Sequence, residues 1–383
     1  MKRIAIIGAG ISGLFVANLF QKNKNYQISI YEKKDSIDLN TGYGIQLSSN
    51  CIKLLNKLSF NTLDKDEVFN PTVINFFQTN KEIKICDLDI TKFNDEDCKY
   101  SSLKRSTLSK FLVEKLDSHV IKFNHEITEI NNTDHKISLN FKQGDVVNCD
   151  YLIIADGVFS KCKSLLSSNK IKPKFNNSIA IRGLIDSEHL PKAKRDNVSI
   201  SMGSNFHYVV YPVDNKGQKT NFIGILKEKL TQDQLSNYKF FDQGSYLNSI
   251  KEKLKNKISI SILENLQDLK IFPVFVSEEF YKSEKNIFCL GDAFFAYPPS
   301  FAQGASQSIE SAFELYKDII DEKNNFYNNR IIKSKRVNLR SKLNQFAFHI
   351  SNPLLVYIRN FVLKILVKNK KFLDSYLGKV YKN

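Results

Sequence analysis

The chain has 383 residues, 42% of them apolar and 25% charged, which suits one large globular domain or two closely packed ones and excludes a disordered or fibrous chain. The formal charge of +16 raises nucleic acid or a membrane surface as partners. The basic residues are spread along the chain rather than gathered in an arm, so diffuse solvated charge is expected and a nucleic-acid partner is not.

Six cysteines, at positions 51, 86, 98, 149, 162 and 289, show neither a CxxC pair nor metal spacing. That fits reduced thiols in the cytoplasm and no metal site. Met1-Lys2-Arg3 before an apolar run superficially resembles a secretion signal, but Gly8, Gly10 and Gly13 interrupt the run and no cleavage site follows. No run reaches about 18 uninterrupted apolar residues, so no spanning helix is expected.

In chain order, residues 3–7 predict a strand, 11–23 a helix and 27–31 a second strand, a βαβ unit. Gly8-Ala9-Gly10-Ile11-Ser12-Gly13 fits GxGxxG between that strand and that helix. Gly8 permits the tight turn, Gly10 lets a pyrophosphate approach and Gly13 lets helix and strand pack closely, with Ser12 inside the same turn. Glu32 ends the second strand 19 residues after Gly13, placed to accept from a ribose hydroxyl, and Lys33 follows it. The fingerprint alone does not separate NAD from FAD.

Gly42-Tyr43-Gly44 suggests backbone lying close to a ligand. Residues 48–58 predict a helix, 71–90 short strands and 104–117 a helix with Arg105 near its start, where planar donors suit a phosphate or ribityl oxygen. Strands and a turn near 143–145 follow, and the buried strand around Tyr151–Ala155 ends in Asp156-Gly157, a carboxylate aimed at a crevice. Residues 178–226 are β-rich and include Arg182-Gly183. His207, Val209 and Tyr211 alternate onto one face there, either to orient and deprotonate a phenol or simply as a half-buried sheet. Residues 244–255 predict a helix.

Asn286–Leu290 predicts a buried strand ending in Gly291-Asp292. Tyr297-Pro298-Pro299 forces an extended turn. Gly304 then opens a helix with Ala305, Ile309, Ala312, Phe313 and Tyr316 at helical spacing, and its N-terminus suits an anion such as a reduced flavin. The last fifty residues read as helical and basic. Pro353–Val367 is apolar with scattered cations; cover for the core or a dimer partner is the expectation, and peripheral contact with a membrane surface is the alternative.

This interleaving predicts an α/β protein: a discontinuous Rossmann-like cofactor domain from residues 1–172 plus 286–330, FAD-binding by the resemblance that follows, with a small β insertion near 71–100. A β-rich substrate domain over 173–285 and a C-terminal helical segment over 331–383 complete it.

Together these residues resemble the FAD-dependent aromatic hydroxylases, the single-component flavoprotein monooxygenases typified by p-hydroxybenzoate hydroxylase. Within them the chain looks most like the salicylate hydroxylase and 3-hydroxybenzoate 6-hydroxylase branch. Gly8–Gly13 with Glu32, then Arg105, then Asp156-Gly157, then Gly291-Asp292 through Gly304-Ala305 match in order over roughly residues 1–320. The resemblance implies tightly bound, non-covalent FAD, NAD(P)H as a transient co-substrate, and O2 delivered through a flavin hydroperoxide to a phenolic or benzoate-like ring. It implies FAD contacts from Gly8, Gly10, Ser12, Gly13, Glu32, Lys33, Gly44, Arg105, Asp156, Gly157, Asp292, Pro298, Gly304 and Ala305. It makes His207, Tyr211 and Pro298 the catalytic expectations. Three residues depart from the pattern: Phe295 stands for a usual His, Lys163 for a usual Arg and Tyr43 for a small residue. A different FAD-dependent oxidoreductase on the same scaffold and a non-catalytic FAD-bound redox sensor are the alternatives. A cytoplasmic monomer or homodimer is expected.

Overall fold

Ile4, Ala5, Ile6 and Ile7 are all buried, as a central parallel strand covered on both faces requires. In the computed structural model, which describes residues 1–39, 42–79, 83–133, 136–167, 171–283 and 285–381, this strand (Lys2–Ile7) lies inside a five-stranded parallel sheet. The order is Ile287–Cys289, Tyr151–Ile154, Lys2–Ile7, Tyr26–Tyr31, Ile121–Lys122. Register aligns Ile7 with Ile154, and Ile154 with Cys289. The turns that follow these three strands therefore begin level with one another.

The expected first helix is Ile11–Gln21. Its close seat on the sheet depends on glycine. Gly8 has φ +104°, and a Cβ there would lie 2.6 Å from the Ala155 carbonyl oxygen; a Cβ on Gly13 would collide with the Gly8 carbonyl oxygen. The long helix Gly304–Ile320 packs beside it, and both belong to the largest apolar core.

A seven-stranded sheet forms the second layer, in the order Gln267–Val276, Lys174–Asp186, Lys219–Lys227, Phe206–Pro212, Val198–Gly203, Val73–Gln78, Ile83–Asp89. Two differences from the sequence expectation lie here. The strands near 71–100 belong to this sheet, because Val73–Gln78 pairs in parallel with Val198–Gly203; they are not an insertion in the FAD-binding unit. A short apolar strand carries no local mark of so distant a partner. Gln267–Val276 is an additional edge strand, and its Pro273 obscures the strand pattern while fitting an edge position.

The two layers meet through the small pair Gly44–Leu47 with Ser101–Lys104. A side chain on Gly44 would lie 2.6 Å from Val213, 2.7 Å from Tyr211 and 2.8 Å from Asn221. Gly44 N–H donates instead to Asn221 Oδ1 at 2.6 Å. Gly44 is thus a joint between sheets.

The final helical region starts earlier than residue 331, as the helix Phe326–Phe348. Arg330, 1% exposed, donates to Glu310 (3.3 Å), Glu314 (3.1 Å) and Gln307. Lys333 pairs with the same Glu310. These contacts clamp the helix to Gly304–Ile320. A buried cation losing its partner costs about 3–5 kcal/mol. Glu310→Gln is therefore expected to lower the unfolding free energy by about that much, read from denaturant midpoints, whereas Lys317→Gln, in an exposed pair, should change it by less than about 1 kcal/mol.

Candidate active site

The three level strand ends open on a cavity of about 950 Å³. Gly8, Gly10, Ser12, Glu32, Lys33, Arg105, Asp156, Gly157, Asp292, Gly304 and Ala305 all line it. Residues from six separate stretches of sequence are thus brought to one space, at the carboxyl ends of parallel strands. The seven-stranded sheet supplies the opposite wall through Ala180, Arg182, Ile223, Phe272 and Val274.

Several features show what this space suits. An ideal Cβ on Gly10, Gly157 or Gly304 would meet nothing within 4 Å; all three leave room on the cavity side, where a ligand can approach the backbone. The Glu32 carboxylate accepts from Ala9 N–H at 2.9 Å and Lys34 N–H at 3.0 Å, which fixes it beside the glycine turn. Asp156 accepts from Cys162 N–H at 3.1 Å through one oxygen, and its other oxygen is buried with no partner among the described residues. Asp292 opens into the cavity, yet the protein around it raises its pKa through burial, while Arg105 and Lys163 draw it down. Lys163 is 5% exposed, its pKa lowered by burial and supported by Cys289, Asp156 and Asp292. The departure from Arg is thus a buried lysine in the electrostatic field of two carboxylates. Open glycines, a helix N-terminus and both signs of charge fit a dinucleotide with a pyrophosphate.

Tyr43 and Arg182 shape the sheet end. The Arg182 guanidinium lies 5.6 Å from the Tyr43 ring centroid, and Tyr43 Oη donates to the Asp268 carbonyl at 2.7 Å. Burial pushes the Tyr43 phenol up to about 12, against the pull of Arg182. Phe272 meets the Tyr43 ring edge-on at 6.4 Å. Sequence reasoning singled out Arg182-Gly183 without a role and missed Phe272 and Val274. Their signal, apolar residues around Pro273, was weak.

Five expected residues are placed elsewhere. Gly13 lies under the turn and Gly44 at the joint between sheets. Pro298 is buried, and Pro299 is the proline at the cavity wall. Tyr211 is buried behind the wall, its phenol pushed up to about 12 by burial against Arg182 and a hydrogen bond to Gln46. His207 is away from the cavity altogether. Its Nδ1 bonds His349 Nε2 at 2.7 Å, and its ring meets Phe348 at 5.2 Å. The alternation that put His207 and Tyr211 on one face is correct, but their separation along the strand carries His207 beneath the C-terminal helix. Phe295 replaces the usual polar residue with core packing, stacked on Phe280 at 4.4 Å. No cluster of metal-ligating side chains exists among the described residues.

A parallel sheet with a glycine turn, a second acidic turn and a third at a helix start, all facing one cavity, defines a dinucleotide-binding protein. The model of the FAD binding domain family matches residues 1–326, and the chain belongs to that family. Salicylate hydroxylase from Pseudomonas putida is 23% identical over 84% of this chain and 77% of its own. 6-Hydroxynicotinate 3-monooxygenase from Bordetella bronchiseptica is 24% identical over 82% and 81%. Among solved structures, Klebsiella pneumoniae HpxO complexed with FAD and uric acid superposes with a TM-score of 0.81 at 16% identity, covering 98% of this chain and 97% of its own. A salicylate hydroxylase substrate complex gives 0.79 at 16% identity, over 100% and 95%. The chain is an FAD-dependent monooxygenase, and the expected cofactor, fold class and enzyme class all stand.

Gly10→Val should test the cradle. Gly10 has φ −79° and open space beyond its Cα, so the variant's apoprotein is expected to melt as the unaltered apoprotein does and to lose FAD affinity on the order of a hundredfold, read by flavin absorbance after gel filtration. The histidine pair makes a second prediction. Burial holds His207 well below 6.5 and, with Lys227 and Lys257, holds His349 at about 4. Unfolding lets both rings protonate, so stability is full above pH 6.5 and falls as pH drops toward 4. In His207→Phe with His349→Gln, thermal midpoints between pH 7 and pH 4.5 are expected to decline less steeply than in the unaltered protein.

Proposed function

We propose that this monooxygenase hydroxylates an aromatic ring, phenolic or benzoate-like, with NAD(P)H as reductant and O2 as oxidant. One observation carries the reading. A single cavity runs from the glycine turn at Gly8–Ser12 to a sheet wall bearing Arg182, Tyr43 and Phe272. Such a space has a polar, phosphate-suited end and an aromatic end with a fixed cation.

Bound in it, FAD would supply the redox and oxygen-activating chemistry. The chain's own residues supply position and charge. Gly8, Gly10 and Ser12 would hold the pyrophosphate, Glu32 and Lys33 the adenosine side, and Arg105, Asp156, Gly157 and Asp292 the ribityl side. The helix Gly304–Ile320 brings its N–H groups and partial positive charge to the flavin end, favouring an anionic form there. Arg182 would pair with a carboxylate or phenolate on the ring, and Phe272, Ile223 and Val274 would exclude water from it. Tyr211 would act as a positioning residue, hydrogen-bonded to Gln46 behind the wall and close enough to Arg182 to feel its charge. Tyr297, whose hydroxyl donates to Ser334 at 2.7 Å, also lines the cavity. NAD(P)H would visit the cavity mouth rather than a domain of its own, since the chain has no second glycine fingerprint after a strand. Six free thiols, five of them buried, suit a reducing cytoplasm.

The purified protein is expected to be yellow and to oxidise NAD(P)H faster when a phenol or benzoate is added, with equimolar hydroxylated product by mass spectrometry. Arg182→Met should raise KM for a ring carboxylate on the order of tenfold to a hundredfold and leave the flavin spectrum unchanged. Oxidation of NAD(P)H with no substrate-dependent product would sink the reading.

A further inference from the structure

The helix Pro353–Leu366 is capped by the Asn352 side chain, which accepts from Leu354 and Leu355 N–H, with proline at the first turn. Its inner side is thin. Val356, Leu363 and Leu366 are half-buried. Arg359 is buried and donates to the Ala347 carbonyl at 3.2 Å, tying the helix to the end of Phe326–Phe348. The helix rests on the edge strand Ile83–Asp89, and Lys364 sits near the Cys86 thiol.

The outer side is apolar and uncovered. Leu354 (67% exposed), Ile358, Phe361 (59%), Val362 and Ile365 (50%) recur at helical spacing on one face, with Leu355 and Tyr357 flanking it. A helix of 14 residues presents this face for about 21 Å. Cover by the core, expected from sequence, accounts for only the inner side. No described helix is long and apolar enough to cross a membrane.

Charge says what covers the outer side. From Phe326 to Tyr381 there are twelve Lys and Arg residues and one acidic residue, Asp374. Lys368, Lys370 and Lys371 follow the apolar face directly and are exposed. Although the basic residues are spread along the whole chain, most of the net positive excess falls in this segment, +11 of +16. A second copy docked by two-fold symmetry would bring the same cations against themselves. An anionic surface would meet both features at once, apolar side chains entering the acyl boundary and lysines meeting headgroups.

We propose that Pro353–Leu366, with the lysines at its end, is an interfacial helix that seats the enzyme on an anionic lipid surface. It binds in the plane of the membrane and reversibly, as a single amphipathic helix does. The enzyme would then draw substrate from, or return product to, a lipid-rich boundary.

The test is co-sedimentation of the full flavoprotein with vesicles of phosphatidylcholine containing about 30 mol % phosphatidylglycerol, against phosphatidylcholine alone. Binding is expected to the anionic vesicles at low salt and to fall on the order of tenfold or more at about 0.5 M salt. Leu354→Ser with Phe361→Ser and Ile365→Ser should weaken it on the order of a hundredfold. Lys368→Glu with Lys370→Glu and Lys371→Glu should abolish the preference for anionic lipid. All six positions are exposed, so flavin content and melting temperature of both variants should match the unaltered protein. The proposal falls if the unaltered protein stays in the supernatant with anionic vesicles, or if both variants sediment as it does. It falls equally if light scattering shows a dimer that the serine variant converts to monomer without any vesicle binding. Hydroxylation of a water-soluble substrate is read separately, so failure here leaves the proposed reaction standing.

Discussion

Every part of the cavity depends on the register of three parallel strands. Ile7, Ile154 and Cys289 are aligned across the sheet, so the chain leaves all three at one level. Gly8, Ala155 and Leu290 follow. Gly8 can pack on the Ala155 carbonyl only because it lacks a side chain. Slipping one strand by a residue would turn its apolar set outward and move its turn away from the others. The buried pattern of Ile4–Ile7 and Leu152–Ile154 makes such a slip costly, so the same apolar residues that hold the sheet also aim the site.

Charge is then arranged on that frame. Asp156 and Asp292 come from two of the three turns, and like charges so placed would repel. Lys163 lies buried beside both, and Arg105 reaches Asp292 from another element. The site thus carries its own counter-charges, which lowers the cost of holding two carboxylates where water is largely displaced. Arg182 differs. It lies near Tyr43, Tyr211 and Arg105 and forms no salt bridge to a carboxylate among the described residues. A guanidinium among aromatic neighbours and another cation favours an anion arriving from outside, which supports the proposed role of Arg182 at the substrate end of the cavity.

What could be read from sequence divides along the range of the interactions. The βαβ unit, Glu32, Asp156-Gly157, Gly291-Asp292 and Gly304 were legible because each is a local pattern: apolar strand, then glycine or carboxylate, then helix. All of them line the cavity or its floor. The sheet wall was legible as strands but not as a surface. His207 and Tyr211 share a face, as alternation requires, yet only the C-terminal helix, which packs from far along the chain, decides that His207 meets Phe348 and His349. Strand Gln267–Val276 was hidden by Pro273, and strand Val73–Gln78 gave no sign of its partner 124 residues later at Val198. Phe295 could be read as a departure, but its physical meaning needed Phe280, which stacks on it.

The C-terminal region joins these arguments. Its inner surface is unusually polar for a helix packed on a core: Arg330, Lys333 and Ser334 face Gln307, Glu310 and Tyr297. A buried ionic cluster is a poor source of stability compared with apolar packing of the same volume, but it fixes one arrangement, because every other register leaves a charge unpaired. That specificity matters here because Glu310 lies on the helix whose first residues, Gly304 and Ala305, form the cavity wall. The clamp therefore holds the wall and the final helices as one unit. With Phe326–Phe348 fixed in this way, the helix after it is held against the edge strand by Arg359 and a few half-buried side chains. Its apolar face is left outward because the clamp, not that face, does the anchoring. A chain that needed the face for folding would have buried it; this one has a separate ionic anchor, which leaves the outer face uncovered, as the proposed lipid contact requires.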